Sequence, residues 1–140
     1  MTEKLFIDTN IFIYAFQEGK DRKKQRAIAL IKSEKPSIVT SIQVLNEFIF
    51  ATIKKGLLSK NKAIETAMQI EKDFEIIPLD RAVFLKGIEV FNELDIQLSL
   101  WDSLIIAAAV IGGCDILYSE DMKHNFVVEG VKIFNPFLDT

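Results

Sequence analysis

Cysteine is almost missing from this chain: Cys114 stands alone among 140 residues, which excludes a disulfide framework and a thiolate metal cluster. His124 is the only histidine; no Ser/His/Asp or Cys/His set can be assembled, and it reads as a packed or surface residue rather than a catalytic one. Proline and glycine are sparse, at three and six residues. With no run rich in either, no repeat and no break in composition, no boundary divides residues 1–140, and one domain is expected. Long apolar runs are also lacking. The longest, Leu104 to Ile111, covers eight residues, where a membrane helix needs about 20. Glu3, Lys4 and Asp8 do not suit the start of a secretory leader, and a cytoplasmic protein without a membrane segment is expected. Finally, there is no excess of positive charge. The net charge of −3 argues against a globally basic nucleic-acid binder.

What is present is a hydrophobic half, 49% of the residues, laid out as short β-rich runs alternating with helical ones. Leu5–Ile7, Ser37–Val39, Phe74–Ile77, Ile116–Tyr118 and Lys132–Phe134 read as strands. Helices are expected near 10–16, 21–34, 41–55, 60–73, 81–94 and 100–111. Ser41, Ser59, Asp80 and Ser99 sit where N-caps belong, and Gly56 and Gly112-Gly113 where helices stop. Such alternation predicts an α/β fold with a largely parallel sheet and helices on both faces. In open sheets of that kind the functional crevice lies beyond the carboxyl ends of the strands, where strand order reverses.

Four carboxylates are placed oddly for a solvated surface. Asp8 ends the first strand in "KLFIDTNIFIYAF", and Asp121 follows the fourth strand beside Ser119 and Glu120. Glu47 interrupts the apolar helix "SIQVLNEFIFATIKK", and Asp102 opens "SLWDSLIIAAAVIGG", which is apolar almost all round. Singly, each has an ordinary explanation. Asp8 suits a helix cap, and Glu47 a wet stripe with Gln43 and Lys54. Asp102 stands at the capping-box position after Ser99, and Asp121 suits a turn. Jointly they need more, because converging carboxylates repel one another and push protons on. A divalent cation removes that cost. Oxygen ligands without His or Cys suit Mg²⁺ or Mn²⁺, which lower the pKa of a bound water and steady charge on a phosphodiester.

In this order, "FIDTNIFIYAF", "VLNEFIF", "WDSLIIAAAV" and "ILYSEDM" resemble the PIN-domain nucleases over essentially the whole chain, most closely the VapC-type toxins of toxin–antitoxin pairs. The resemblance implies a PIN-like sheet of about five strands in the order 3-2-1-4-5. It implies a metal-dependent endoribonuclease acting on single-stranded or loop RNA, with Asp8, Glu47, Asp102 and Asp121 as catalytic, metal-holding acids. Asp8 and Asp102 are the expected direct ligands of Mg²⁺ or Mn²⁺; Asn10 and Ser119 orient the acids. Glu120 is left open as sharing or replacing the role of Asp121. Trp101 either packs or shapes the pocket. The implied partners are RNA, a small antitoxin and a second copy of the chain.

RNA held against an acidic crevice needs cations at the rim. Arg22, Lys23, Lys24 and Arg26 in "DRKKQR", with Lys54, Lys55, Lys60 and Lys62 in "KKGLLSKNK", are candidates, although a charged run is ordinarily a solvated face. Three alternatives stay open. A phospho-aspartyl phosphatase built on Asp8 wants a second acid where Asn10 stands and gives Glu47 no task. A catalytically silent binding module and a PIN nuclease of RNA processing without a toxin role are the others.

Overall fold

A computed structural model describes residues 3–94 and 97–138. Six strands form one sheet in the order β3-β2-β1-β4-β6-β5. They are β1 (Leu5–Ile7), β2 (Ile38–Ser41), β3 (Glu75–Ile77), β4 (Ile116–Tyr118), β5 (Val127–Val128) and β6 (Val131–Phe134). All neighbours are parallel except β5 and β6. The expected five-strand order is therefore present, with β6 in fifth place and one extra strand beyond it. That strand, β5, is only two residues long and joins β6 through Glu129 and Gly130, whose φ values are +46° and +85°. Two left-handed residues make the tight hairpin turn that matches strand twist. Asn-Gly or Asp-Gly is the sequence signal for such a turn, and Glu-Gly does not stand out.

Two strand edges also differ from expectation. Ser37 closes a 3₁₀ turn over Lys35–Ser37, and β2 runs on to Ser41. Phe74 caps the preceding helix instead of starting β3.

Helices α1 (Thr9–Phe16), α2 (Arg22–Glu34), α3 (Ile42–Lys54) and α4 (Lys60–Asp73) carry the chain from β1 through β2 to β3. Then α5 (Arg81–Glu93) and α6 (Leu100–Ile111) bring it back to β4 on the other side of β1. Right-handed crossovers put these two groups on opposite faces of the sheet. Helix starts are set locally: the side chains of Asp21, Ser41, Ser59, Asp80 and Ser99 each accept a backbone N–H from the first turn. The core joins Phe6, Ile7, Phe12, Val44, Phe48, Ile106, Leu117 and Ile133, all essentially inaccessible. Cys114 is buried with them, and burial pushes its thiol up to about 12, so it is unreactive. His124 accepts the Asn135 N–H at Nδ1 (3.0 Å) and packs edge-on against Phe134; its task is structural. Among the described residues no helix is long and apolar enough to cross a membrane.

Helix α6 is buried from Ser103 to Ala109. It contacts β2, β4 and β6 and packs closely on α5. Gly87 permits that approach, since a Cβ there would lie 2.5 Å from Cδ2 of the buried Leu104. Gly87→Ala is expected to lower stability by about 1–2 kcal/mol despite the better helix propensity of alanine, because overpacking outweighs it. Urea denaturation checks this; a variant as stable as the parent would mean that Leu104 repacks freely.

Candidate active site

Strand order reverses between β1 and β4. From β1 the chain steps outward to β2 and β3, then returns to add β4 on the opposite side. The two strands pair in register, Ile7 beside Tyr118, and the Asp8 N–H continues the ladder to the Tyr118 carbonyl at 3.0 Å. Asp8 and Ser119 thus leave adjacent strand ends together. The Ser119 hydroxyl donates to Asp8 Oδ2 at 2.8 Å, and the Thr9 N–H donates to Oδ1 at 2.7 Å. Asp8 is also the N-cap of α1, so its ordinary explanation and its place in the crevice hold together. The residue is 6% exposed.

Burial above all, with the charges of Glu47 and Asp102 adding to it, raises the Asp8 carboxyl to about 6 against the lowering effect of those two hydrogen bonds. Asp102 lies one turn into α6 and is half-buried. Its pKa is raised first by burial and then by Asp121 and Glu47, while a hydrogen bond from Ser99 opposes the shift. These mutual effects place the four acids in one electrostatic neighbourhood.

Glu47 and Asp121 are likewise steered by polar neighbours. Thr9 Oγ1 donates to Glu47 Oε2 at 2.9 Å. Gln43, one helical turn before Glu47, donates from Nε2 to Glu47 Oε1 and to the Trp101 carbonyl, both at 3.0 Å. Asn10 Nδ2 donates to Asp121 Oδ2 at 2.5 Å. Asp102 and Asp121 line a common depression with Met122 and Lys123. The Glu120 carboxylate instead accepts from Tyr14 and Lys23.

Thr9 and Gln43 are the site residues that sequence reading passed over. Thr9 sits in the quoted first motif, but nothing local ties it to Glu47. Gln43 is four residues before Glu47 and on the same helix face, a spacing equally consistent with a wet stripe. In the structure that stripe is not wet: Gln43 is buried and Glu47 half-buried.

The basic candidates separate. Lys55 lines the depression shared by Asn10, Glu47 and Phe50, and also the neighbouring one bounded by Asn10, Tyr14, Glu120 and Asp121. Lys54 lies over the Phe50 ring, 5.4 Å from its centre. Arg26 Nε donates to the Pro136 carbonyl at 3.2 Å, and Lys24 Nζ to the Gln17 carbonyl. Lys62 is an exposed partner of Glu65 on α4, and Arg22 and Lys60 are exposed at the starts of α2 and α4. Trp101 is 62% exposed beside Asp102, so it is not a core packing residue.

The donor set suits a hard divalent cation: carboxylate oxygens and no nitrogen or sulfur. Among the described residues no three His, Cys, Asp or Glu side chains are grouped closely enough to hold a metal ion by themselves.

The family model described as "PIN domain" matches residues 5–127. The chain is 27% identical over 122 residues to ribonuclease VapC1 of Aquifex aeolicus, covering 86% of this chain and 83% of that protein. Solved structures with the same fold include Mycobacterium tuberculosis VapC20, described as a sarcin–ricin loop cleaving toxin, with TM-score 0.70, 19% identity and coverage of 84% and 90%. A toxin–antitoxin complex from Klebsiella pneumoniae superposes with TM-score 0.69 at 21% identity, covering 96% of this chain and 98% of the other. FitAcB of Neisseria gonorrhoeae gives TM-score 0.70 at 19% identity, covering 96% and 99%.

Proposed function

The chain belongs to the PIN domain family, and on that premise we propose that it is a Mg²⁺- or Mn²⁺-dependent endoribonuclease and the toxin of a toxin–antitoxin pair. One observation carries the reading. Acids from four distant segments act on one another: the charges of Glu47 and Asp102 raise the pKa of Asp8, and those of Asp121 and Glu47 raise that of Asp102, while Asp8 and Ser119 leave the paired ends of β1 and β4 together.

Asp8 and Asp102 are the residues to hold the ion, with Glu47 and Asp121 to complete a second position or orient the attacking water. A bound divalent ion supplies charge neutralisation and a water of lowered pKa. The chain's own residues do the rest. Ser119 and the Thr9 N–H fix the Asp8 carboxylate, Thr9 and Gln43 fix Glu47, and Asn10 fixes Asp121. Three of the four acids are thereby held before substrate arrives, which avoids reorganisation during the reaction. Single-stranded or loop RNA fits an open crevice that has Phe50 and Lys55 on one wall and the exposed Trp101 next to Asp102.

The similarity to ribonuclease VapC1 and to structures of toxin–antitoxin complexes supports RNA as substrate and a small antitoxin as partner. A basic antitoxin side chain would meet the same uncompensated acids. Pairing of two copies belongs to the same reading, supported by the exposed apolar row Phe84, Leu85, Ile88 and Phe91 on α5.

Among the eight basic candidates Lys55 is the one that lines the depressions holding Glu47 and Asp121, so Lys55→Ala should weaken RNA binding. The slope of log affinity against log salt should flatten by about 0.7, the value of one phosphate contact on a single strand. Filter binding across a salt series, in Ca²⁺ to prevent turnover, measures this. An unchanged slope would remove Lys55 from the RNA path.

A further inference from the structure

Two acids follow each other after β4, and one helix latches both. Asn10 and Tyr14 are four residues apart on α1 and so lie on the same face, one turn apart. Asn10 donates to Asp121 at 2.5 Å, and the Tyr14 hydroxyl donates to Glu120 Oε1 at 2.6 Å. The second Glu120 oxygen accepts from Lys23 Nζ at 2.5 Å. Lys23 reaches the Tyr14 hydroxyl at 3.4 Å and lies over the rings of Tyr14 and Phe137, 5.2 and 5.8 Å from their centres. The Asn135 amide donates to the Glu120 carbonyl at 3.4 Å. Elements α1 and α2 therefore meet the loop after β4 at the Glu120 carboxylate, and the segment after β6 holds that residue's backbone; the Glu120 side chain is only 19% exposed.

We infer that Lys23, Tyr14 and Glu120 form a clasp that positions Asp121, so that only the second of the two adjacent acids enters the crevice. The inference rests on the reading of that crevice as a divalent-metal site. Both Glu120 oxygens are engaged by donors, one of them charged, and such bonds are the strong ones. Glu120 is therefore a positioning residue and not a substitute for Asp121. Lys23 has a second effect: it balances a fifth carboxylate that would otherwise add to the repulsion among the four. Lys23 consequently leaves the set of RNA-binding candidates.

The test compares Lys23→Met, Glu120→Gln and the charge-swapped pair Lys23→Glu with Glu120→Lys, beside Asp121→Asn. In the metal-free protein the Asn10 side-chain amide resonance reports its bond to Asp121; Mn²⁺ affinity is read by electron paramagnetic resonance. Both single variants should shift the Asn10 resonance and weaken Mn²⁺ binding about tenfold, as loss of a supporting partner does. They should lower kcat more than they raise KM. The swapped pair should recover most of the loss, although lysine at 120 cannot bind a cation.

Two results overturn the clasp. Either Lys23→Met flattens the salt dependence of RNA binding and leaves the Asn10 resonance and Mn²⁺ affinity unchanged, or Glu120→Gln abolishes Mn²⁺ binding as fully as Asp121→Asn and the swap rescues nothing. A parent protein that binds no Mn²⁺ and cuts no RNA defeats the metal-site reading alone. The Asn10 resonance still decides the clasp in that case.

Discussion

Asp8→Asn is expected to reduce metal-dependent RNA cleavage on the order of 10³-fold, the scale of losing a group that holds transition-state charge, while the fold survives. The substitution is nearly isosteric. An asparagine Oδ1 still accepts the Thr9 N–H that now sits 2.7 Å from Asp8 Oδ1. The Ser119 hydroxyl, which now donates to Oδ2 at 2.8 Å, rotates to accept from the new amide. What disappears is one negative charge at a buried point, and with it the strongest reason for a cation to settle there. Single-turnover cleavage of an end-labelled RNA in Mg²⁺ and Mn²⁺, beside circular dichroism of the same preparation, measures both halves. Undiminished cleavage by a sequence-verified variant would sink the proposed chemistry. Asp102→Asn should behave alike in cleavage.

The second large effect is on stability, and its sign depends on the metal. In the metal-free protein burial holds the Asp8 carboxyl at about 6, above its ordinary value of 3.8. Between those values the folded state binds more protons than the unfolded chain. The contribution of Asp8 to stability is therefore greatest below about pH 4, falls as pH rises toward 6, and is level above that. The gap of roughly two units corresponds to about 3 kcal/mol, and the raised Asp102 adds in the same direction.

A divalent cation binds the ionised acids and reverses the trend. At a hundredfold excess over Kd it contributes about 2.7 kcal/mol, and more of that is felt at pH 7.5 than at pH 4.5. Asp8→Asn should remove most of both effects and leave a metal-free protein more stable than the parent at neutral pH. Urea titrations at pH 4.5 and 7.5, with and without Mn²⁺, follow each curve. Metal-free stability that climbs from pH 4 to 6, or equal Mn²⁺ stabilisation in parent and variant, would contradict the assignment of a strained buried carboxylate.

The four candidate acids and the edge of the sheet show how unevenly structure can be read from a chain. Helix starts were legible because a cap is a local bond: Ser41 binds the Val44 N–H and Ser59 the Lys62 N–H, both within three residues. The order of β1 to β4 was legible through family motifs. The β5–β6 hairpin escaped because two residues carry too little periodicity, and Glu129 is an unusual occupant of a left-handed position. Trp101 looked like packing by composition. It is exposed because it stands in the first turn of α6, ahead of the stretch from Ser103 to Ala109 that is buried.

The sequence by itself determined the alternation of strands and helices, their caps, and which four acids stood in the wrong company for a surface. These are consequences of spacing along the chain. Only the tertiary structure decided that Gln43 belongs with Glu47 and Trp101, that Glu120 faces Lys23 while its neighbour faces Asn10, and that Lys55 alone among the basic candidates lines both depressions beside the acids. Those pairings join residues up to 111 positions apart. The direction of a side chain there is settled by which donor lies across the crevice, and no local pattern encodes that.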